Sequence, residues 1–96
     1  MSFAVKFEPE AELEIIEAFQ WYEQQSFGLG GEFLRAVKLS EAMLARNPNQ
    51  YQVQYKDIRR AYLRRFPYAL HYLIEGQTVS VLACFHFRRD PQKWSE

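Results

Sequence analysis

The sequence predicts an α+β fold in which two helices lie on one face of a single sheet. Three observations lead there. Phe3, Val5 and Phe7 alternate with Ala4 and Lys6, the period of a strand. Two stretches of helical periodicity follow, split by a glycine-rich break. From Ile58 onward β-branched and aromatic residues dominate, interrupted by two tight-turn signals. The chain of 96 residues suits one domain, 1–96, and an aromatic content of 17% supplies the large rings that a small core needs.

Each element has its own reason. Pro9 fits the first turn of a helix, where its missing N–H costs nothing. The glutamates that follow place negative charge at the positive helix end. Ala11, Ile15, Ala18, Phe19 and Tyr22 recur at helical spacing as a stripe to be buried, and this helix is expected to reach about Gln25. Phe27-Gly28-Leu29-Gly30-Gly31 reads as the corner of a helical hairpin. It is not a nucleotide loop, because no Gly-Lys-Ser/Thr follows and no βαβ pattern surrounds it. A second helix is expected from about Glu32 to Arg46, with Phe33, Val37 and Leu44 on one side and Asn47-Pro48 as its stop.

Tyr51, Val53 and Tyr55 alternate in a stretch readable as strand or loop. Strands are expected over 58–66, 68–75 and 78–87. Phe66-Pro67 and Gly76-Gln77 join them as an antiparallel meander, the second suited to a type II′ turn. If both connections are two-residue turns, Arg64 lies opposite Ala69 and then Cys84, Tyr62 opposite His71 and then Leu82, and Arg60 opposite Leu73 and then Ser80. These residues share one face, which His86 and Arg88 extend. The other face collects Ala61, Leu63, Tyr68, Leu70, Tyr72, Ile74, Val79, Val81, Ala83 and Phe85, with Arg59 and Arg65 near its ends. That face is apolar and should receive the helices.

The formal net charge is zero, yet the charge is uneven. Residues 1–48 carry four cations against eight carboxylates, and residues 49–96 carry eight against four. A basic C-terminal half suits an acidic partner: RNA, DNA or an acidic protein segment. No apolar run is long enough to span a bilayer, and the N-terminus lacks the apolar stretch of a signal peptide, so a cytoplasmic protein is expected. Cys84 is the one cysteine, which excludes an internal disulfide and a cysteine zinc cluster. The two histidines are well separated, so neither metal nor cofactor is expected.

On the expected open face Arg60, Arg64, Tyr62, His71, His86 and Arg88 bring arginines beside aromatic rings and imidazoles. Such a set can bind phosphates, stack on bases or clamp an acidic peptide. Solvated strand arginines are the plain alternative for any one of them. His86 is a candidate general acid or base; no carboxylate is obviously placed to orient it, although Asp90 could be. A structural histidine is the commoner outcome. Tyr62 and Tyr68 suit packing or hydrogen bonding better than catalysis. Cys84, expected on the basic face, could have a lowered thiol pKa, although a small buried side chain is the simpler reading.

Taken together, the residues resemble a known family. Phe7-x-Pro9-x-Ala11, Trp21-Tyr22-Glu23, Leu29-Gly30, Phe33 and Pro48 resemble the helical half of RelE/ParE-type toxins of bacterial type II toxin–antitoxin systems. Ile58-Arg59-Arg60, Leu63, Arg65-Phe66-Pro67-Tyr68, Tyr72, and Val81 through His86-Phe87-Arg88-Arg89-Asp90-Pro91 resemble its sheet and C-terminal signature. The resemblance covers nearly the whole chain and implies a toxin neutralised by a cognate antitoxin that wraps over it as a hetero-oligomer. Some members cut mRNA on the ribosome, and here Arg60, Arg64 and His86 match that catalytic set in residue type. ParE-like members, the plasmid stabilisation branch, instead block DNA gyrase. The His-x-Arg-Arg-Asp-Pro ending and the zero net charge resemble the ParE-like branch more closely. On this reading Arg59, Arg60, Tyr62, Arg64, Arg65, Arg88 and Arg89 meet antitoxin or target. An inactive binding relic is the remaining alternative.

Overall fold

The computed structural model describes residues 2–88. The elements run β1 (Ala4–Phe7), α1 (Pro9–Gln25), α2 (Leu29–Arg46), a 3-10 turn (Pro48–Gln50), β2 (Val53–Tyr55), β3 (Ile58–Tyr62), β4 (Tyr68–Glu75) and β5 (Thr78–His86). All strands join one five-stranded sheet in the order β1-β5-β4-β3-β2. β1 pairs parallel with β5, and the other neighbours pair antiparallel. The fold is α+β with both helices on one sheet face, as the periodicity predicts.

The core sits between that face and the hairpin. Ala11, Ala18 and Tyr22 of α1 and Phe33, Val37 and Leu44 of α2 pack on Ala61, Leu70, Tyr72, Val79 and Val81. At the corner end of the hairpin the rings of Tyr22, Phe33, Phe66 and Tyr68 meet with centroids between 4.9 and 6.1 Å apart. Edge-on and stacked contacts of this kind add to the plain burial of area.

The hairpin corner is held by one carboxylate. Glu23 accepts the amides of Gly28 and Gly30, each at 2.9 Å, and so satisfies N–H groups that the start of α2 leaves orphaned. Gly28 adopts φ 88°, a left-handed conformation that side chains disfavour. α2 starts at Leu29, earlier than the glycines suggest. The reason is packing: a Cβ on Gly30 would stand 2.8 Å from the backbone oxygen and ring of Phe19. Gly30 therefore lets α1 and α2 approach closely, at the expense of helix propensity.

The sheet departs from the expected register twice. β3 ends at Tyr62, and residues 63–67 form a wider connection in which Arg65 takes φ 71°. Arg60 consequently pairs with His71 and Tyr62 with Ala69, a slip of two residues that leaves the faces unchanged. On β5 a bulge intervenes: Tyr72 pairs with Val81 but His71 with Ala83, so Leu82 is the extra residue. One inserted residue swaps every later side chain to the opposite face. Cys84 and His86 thus face the helices, whereas Ala83 and Phe85, expected in the core, face away.

Three bonds from two side chains tie the irregular α2–β2 segment to the sheet. The Tyr72 hydroxyl donates to the Pro48 carbonyl at 2.6 Å, and Arg59 donates to the Tyr51 and Asn49 carbonyls.

Candidate functional site

The sheet face turned away from the helices carries Arg60, Tyr62, Ala69, His71, Ala83 and Phe85. Arg60 Nη1 donates to the Tyr62 hydroxyl at 3.1 Å, and its guanidinium lies 5.8 Å from that ring centroid. The Tyr62 ring meets Phe87 edge-on at 5.1 Å, and His71 tilts against Phe85 at 4.9 Å. Arg60 Nε is buried with no hydrogen-bond partner among the described residues. Tyr62 is half-exposed, whereas His71 is only 4% exposed. Burial, then the charge of Arg60, pushes the His71 imidazole down to about 4, so it is neutral at ordinary pH. The result is a guanidinium beside exposed aromatic surface, over a neutral buried imidazole. It can hold an anion or stack a planar group.

Two of the expected catalytic residues lie elsewhere. Arg64 belongs to the 63–67 connection and lines cavities against α2, among them one with Ala36, Leu39 and Ser40. His86 lies behind the sheet, its ring 5.1 Å from that of Tyr68 and its Nδ1 accepting the Arg88 amide at 3.2 Å. It lines a cavity of about 320 Å³ with Glu14, Glu17, Trp21, Tyr68 and Cys84. Both corrections have physical causes already described: the widened connection removes Arg64 from the strand, and the bulge turns His86 over. His86 therefore stands apart from the two arginines, whereas Arg64 shares a cavity with Tyr62, whose hydroxyl Arg60 reaches.

Cys84 also departs from expectation. β1 pairs β5 only as far as Val81, leaving the outer edge of β5 beyond it without a strand neighbour among the described residues. The Cys84 amide there donates to Glu14 Oε1 at 2.7 Å. Burial, then the Glu14 charge, pushes the thiol up to about 12, the opposite of an activated nucleophile.

Of the other arginines, Arg59 is engaged by backbone carbonyls and Arg65 forms a 2.8 Å ion pair with Glu32. Arg88 is exposed. Arg89 and Asp90 lie outside the described residues. Among the described residues no three His, Cys, Asp or Glu side chains gather as a metal site requires. No described helix is long and apolar enough to cross a membrane.

A second surface was only partly visible in the sequence. Between the helices Phe7, Ile15, Ile16, Leu34 and Val37 line a cavity of about 460 Å³. Leu13 and Ile16 are at least half exposed, and Leu34 is 36% exposed. Their signal was present: Leu13 and Ile16 are apolar residues of α1 that lie outside its buried stripe.

No protein-family model and no curated protein matches the sequence. A solved structure does share the architecture. Titled "Chromosomal ParDE TA system from P. aeruginosa", it aligns with a TM-score of 0.73 over 85% of this chain and 92% of its own, at 15% identity. The chain has the fold of that ParDE component. The ParDE-type fold agrees with the resemblance carried by the sequence motifs, and at this identity the likeness establishes architecture.

Proposed function

We propose that the chain is the toxin of a type II toxin–antitoxin module, held inactive by a cognate antitoxin and directed at a gyrase-type protein target. The observation that carries this reading is the shared ParDE-type fold over nearly all of both chains. The motif order along the sequence supports it independently. The geometry favours a binding poison over the RelE-type endonuclease. A nuclease needs a base and cations around one scissile phosphate. Here Arg60 lies on the sheet face turned from the helices, Arg64 in the 63–67 connection against α2, and His86 on the helix side of the sheet.

The two surfaces divide the work. The groove between α1 and α2 suits an amphipathic antitoxin segment that places apolar anchors beside Ile16 and Leu34. Exposed Tyr62 and half-buried Arg60 beside it, with exposed Arg88, are the residues offered to the target. Arg59 and Arg65 serve the chain's own structure first.

Induced expression in bacteria tests the toxin reading. Growth arrest is expected, relieved by co-expression of a cognate antitoxin; a small acidic protein encoded beside the gene is the first to test. Normal growth with abundant soluble, folded chain would favour the inactive relic. A second comparison tests the division of surfaces. Ile16→Asp should abolish relief by the antitoxin and keep the arrest, whereas Arg60→Glu should abolish the arrest and leave antitoxin binding intact.

A further inference from the structure

On the flank of α2 opposite the hairpin groove, a second groove runs between this helix and the 63–67 connection. Two adjoining cavities of about 440 and 120 Å³ form it, sharing Ala36, Leu39 and Arg64. Arg35, Arg64 and Arg65 line the larger one beside Glu32. Glu32 is already paired with Arg65, so one carboxylate stands against three guanidinium groups and this end stays positive. The smaller cavity mixes apolar surface from Leu39, 45% exposed, Met43, Tyr51 and Tyr62 with polar surface from Ser40 and Arg64.

The feature that points to a ligand is Ser40. It lines the smaller cavity, is 6% exposed, and its Oγ is buried with no hydrogen-bond partner among the described residues. A serine inside a helix ordinarily satisfies itself on the carbonyl one turn back, and buried polar groups rarely go unpaired. This hydroxyl does neither.

We propose that the groove is a docking site for an extended acidic segment of a partner protein. The segment sets carboxylates between Arg35 and Arg64, an apolar side chain over Leu39, and a backbone polar group on Ser40 Oγ. Arginine suits this task because its planar fork matches a carboxylate at two points. The positive end gives the segment its charge and direction, and the apolar end gives it contact area. A nucleic-acid strand would use the arginines but would lay its charged backbone over Leu39 and Met43. The site shares no lining residue with the hairpin groove, since Arg35, Leu39 and Ser40 point away from Leu34, Val37 and Lys38 on α2.

The test is an NMR titration of the isotope-labelled full chain with a short acetylated peptide alternating glutamate and leucine. Its lysine–leucine counterpart and a single-stranded oligouridylate serve as comparisons. Saturable shifts are expected at Arg35, Leu39, Ser40 and Arg64 with the acidic peptide alone. Arg64→Glu should weaken binding about tenfold, as loss of a charge-assisted bond does. Arg35→Glu, on the helix surface, gives the same reading if the loop variant does not fold. Ser40→Ala should weaken binding severalfold while leaving thermal stability equal or higher, which a purely structural serine would not do. Shifts centred on Ile16 and Leu34, tighter binding of oligouridylate, or an affinity unmoved by Ser40→Ala would each overturn the proposal.

Discussion

Adjacent glycines at the start of α2 should respond to alanine in opposite directions. At Gly30 the new Cβ would lie 2.8 Å from Phe19 O, Cδ1 and Cε1. Carbon contacts are comfortable near 3.5–4.0 Å, so the helices must part by about half an ångström or more. The ring can turn, but the carbonyl belongs to the α1 backbone and cannot. Overpacking of this kind costs about 1–3 kcal/mol, and the gain in helix propensity returns at most about 1 kcal/mol. Gly30→Ala should therefore destabilise by ~1–2 kcal/mol, lowering the melting temperature by roughly 5–15 °C in a domain of this size. At Gly31 the nearest atom is the flexible Arg35 Nη1 at 3.8 Å. There the propensity gain stands alone, and Gly31→Ala should stabilise by about 0.5–1 kcal/mol. Thermal and urea unfolding by circular dichroism measure both. A Gly30→Ala protein as stable as Gly31→Ala would refute the close approach of α1 to α2.

Three further predictions concern buried groups. Tyr72→Phe strands the Pro48 carbonyl that its hydroxyl now reaches at 2.6 Å, so urea unfolding should show a loss of about 1–3 kcal/mol. His71 has a folded pKa near 4, lowered from 6.5, so the unfolded chain binds its proton first as the medium becomes acid. Its contribution is whole above pH 6.5 and is lost as pH falls towards 4; His71→Gln should flatten that part of the stability profile. The Cys84 thiol is 2% exposed and pushed up to about 12, so iodoacetamide should modify it in urea but scarcely in the native chain at neutral pH.

The elements were legible in the sequence because local periodicity reports them directly. The stripe through Ala11, Ala18 and Tyr22 and the alternation through Leu70 and Tyr72 identify the faces that become the core. The candidate site was less legible because it depends on register, which local pattern leaves open. Phe66-Pro67 looks like a tight turn, yet the chain takes five residues, 63–67, to turn, with Arg65 in a left-handed conformation. The Leu82 bulge leaves no mark in the sequence, since Leu82, Ala83, Cys84 and Phe85 are all apolar and either phase buries well. That single residue decides whether His86 stands beside Arg60 or behind the sheet. Arg60, Tyr62 and His71 escape the uncertainty because a slip of two residues preserves their face. Glu14 and Glu23 read as charge at a helix surface, and only the packed structure shows them accepting the amides of Cys84 and of Gly28 and Gly30.

On the proposed function, the chain poisons a gyrase-type target by binding, with Arg60 on the contact surface and no nuclease chemistry. DNA supercoiling by purified gyrase, run beside ribosome-dependent cleavage of mRNA by toeprinting, tests it most directly. The purified chain should inhibit supercoiling, Arg60→Glu should relieve the inhibition, His86→Ala should leave it unchanged, and no mRNA should be cut. Unimpeded supercoiling together with ribosome-dependent cleavage that disappears in His86→Ala would contradict it.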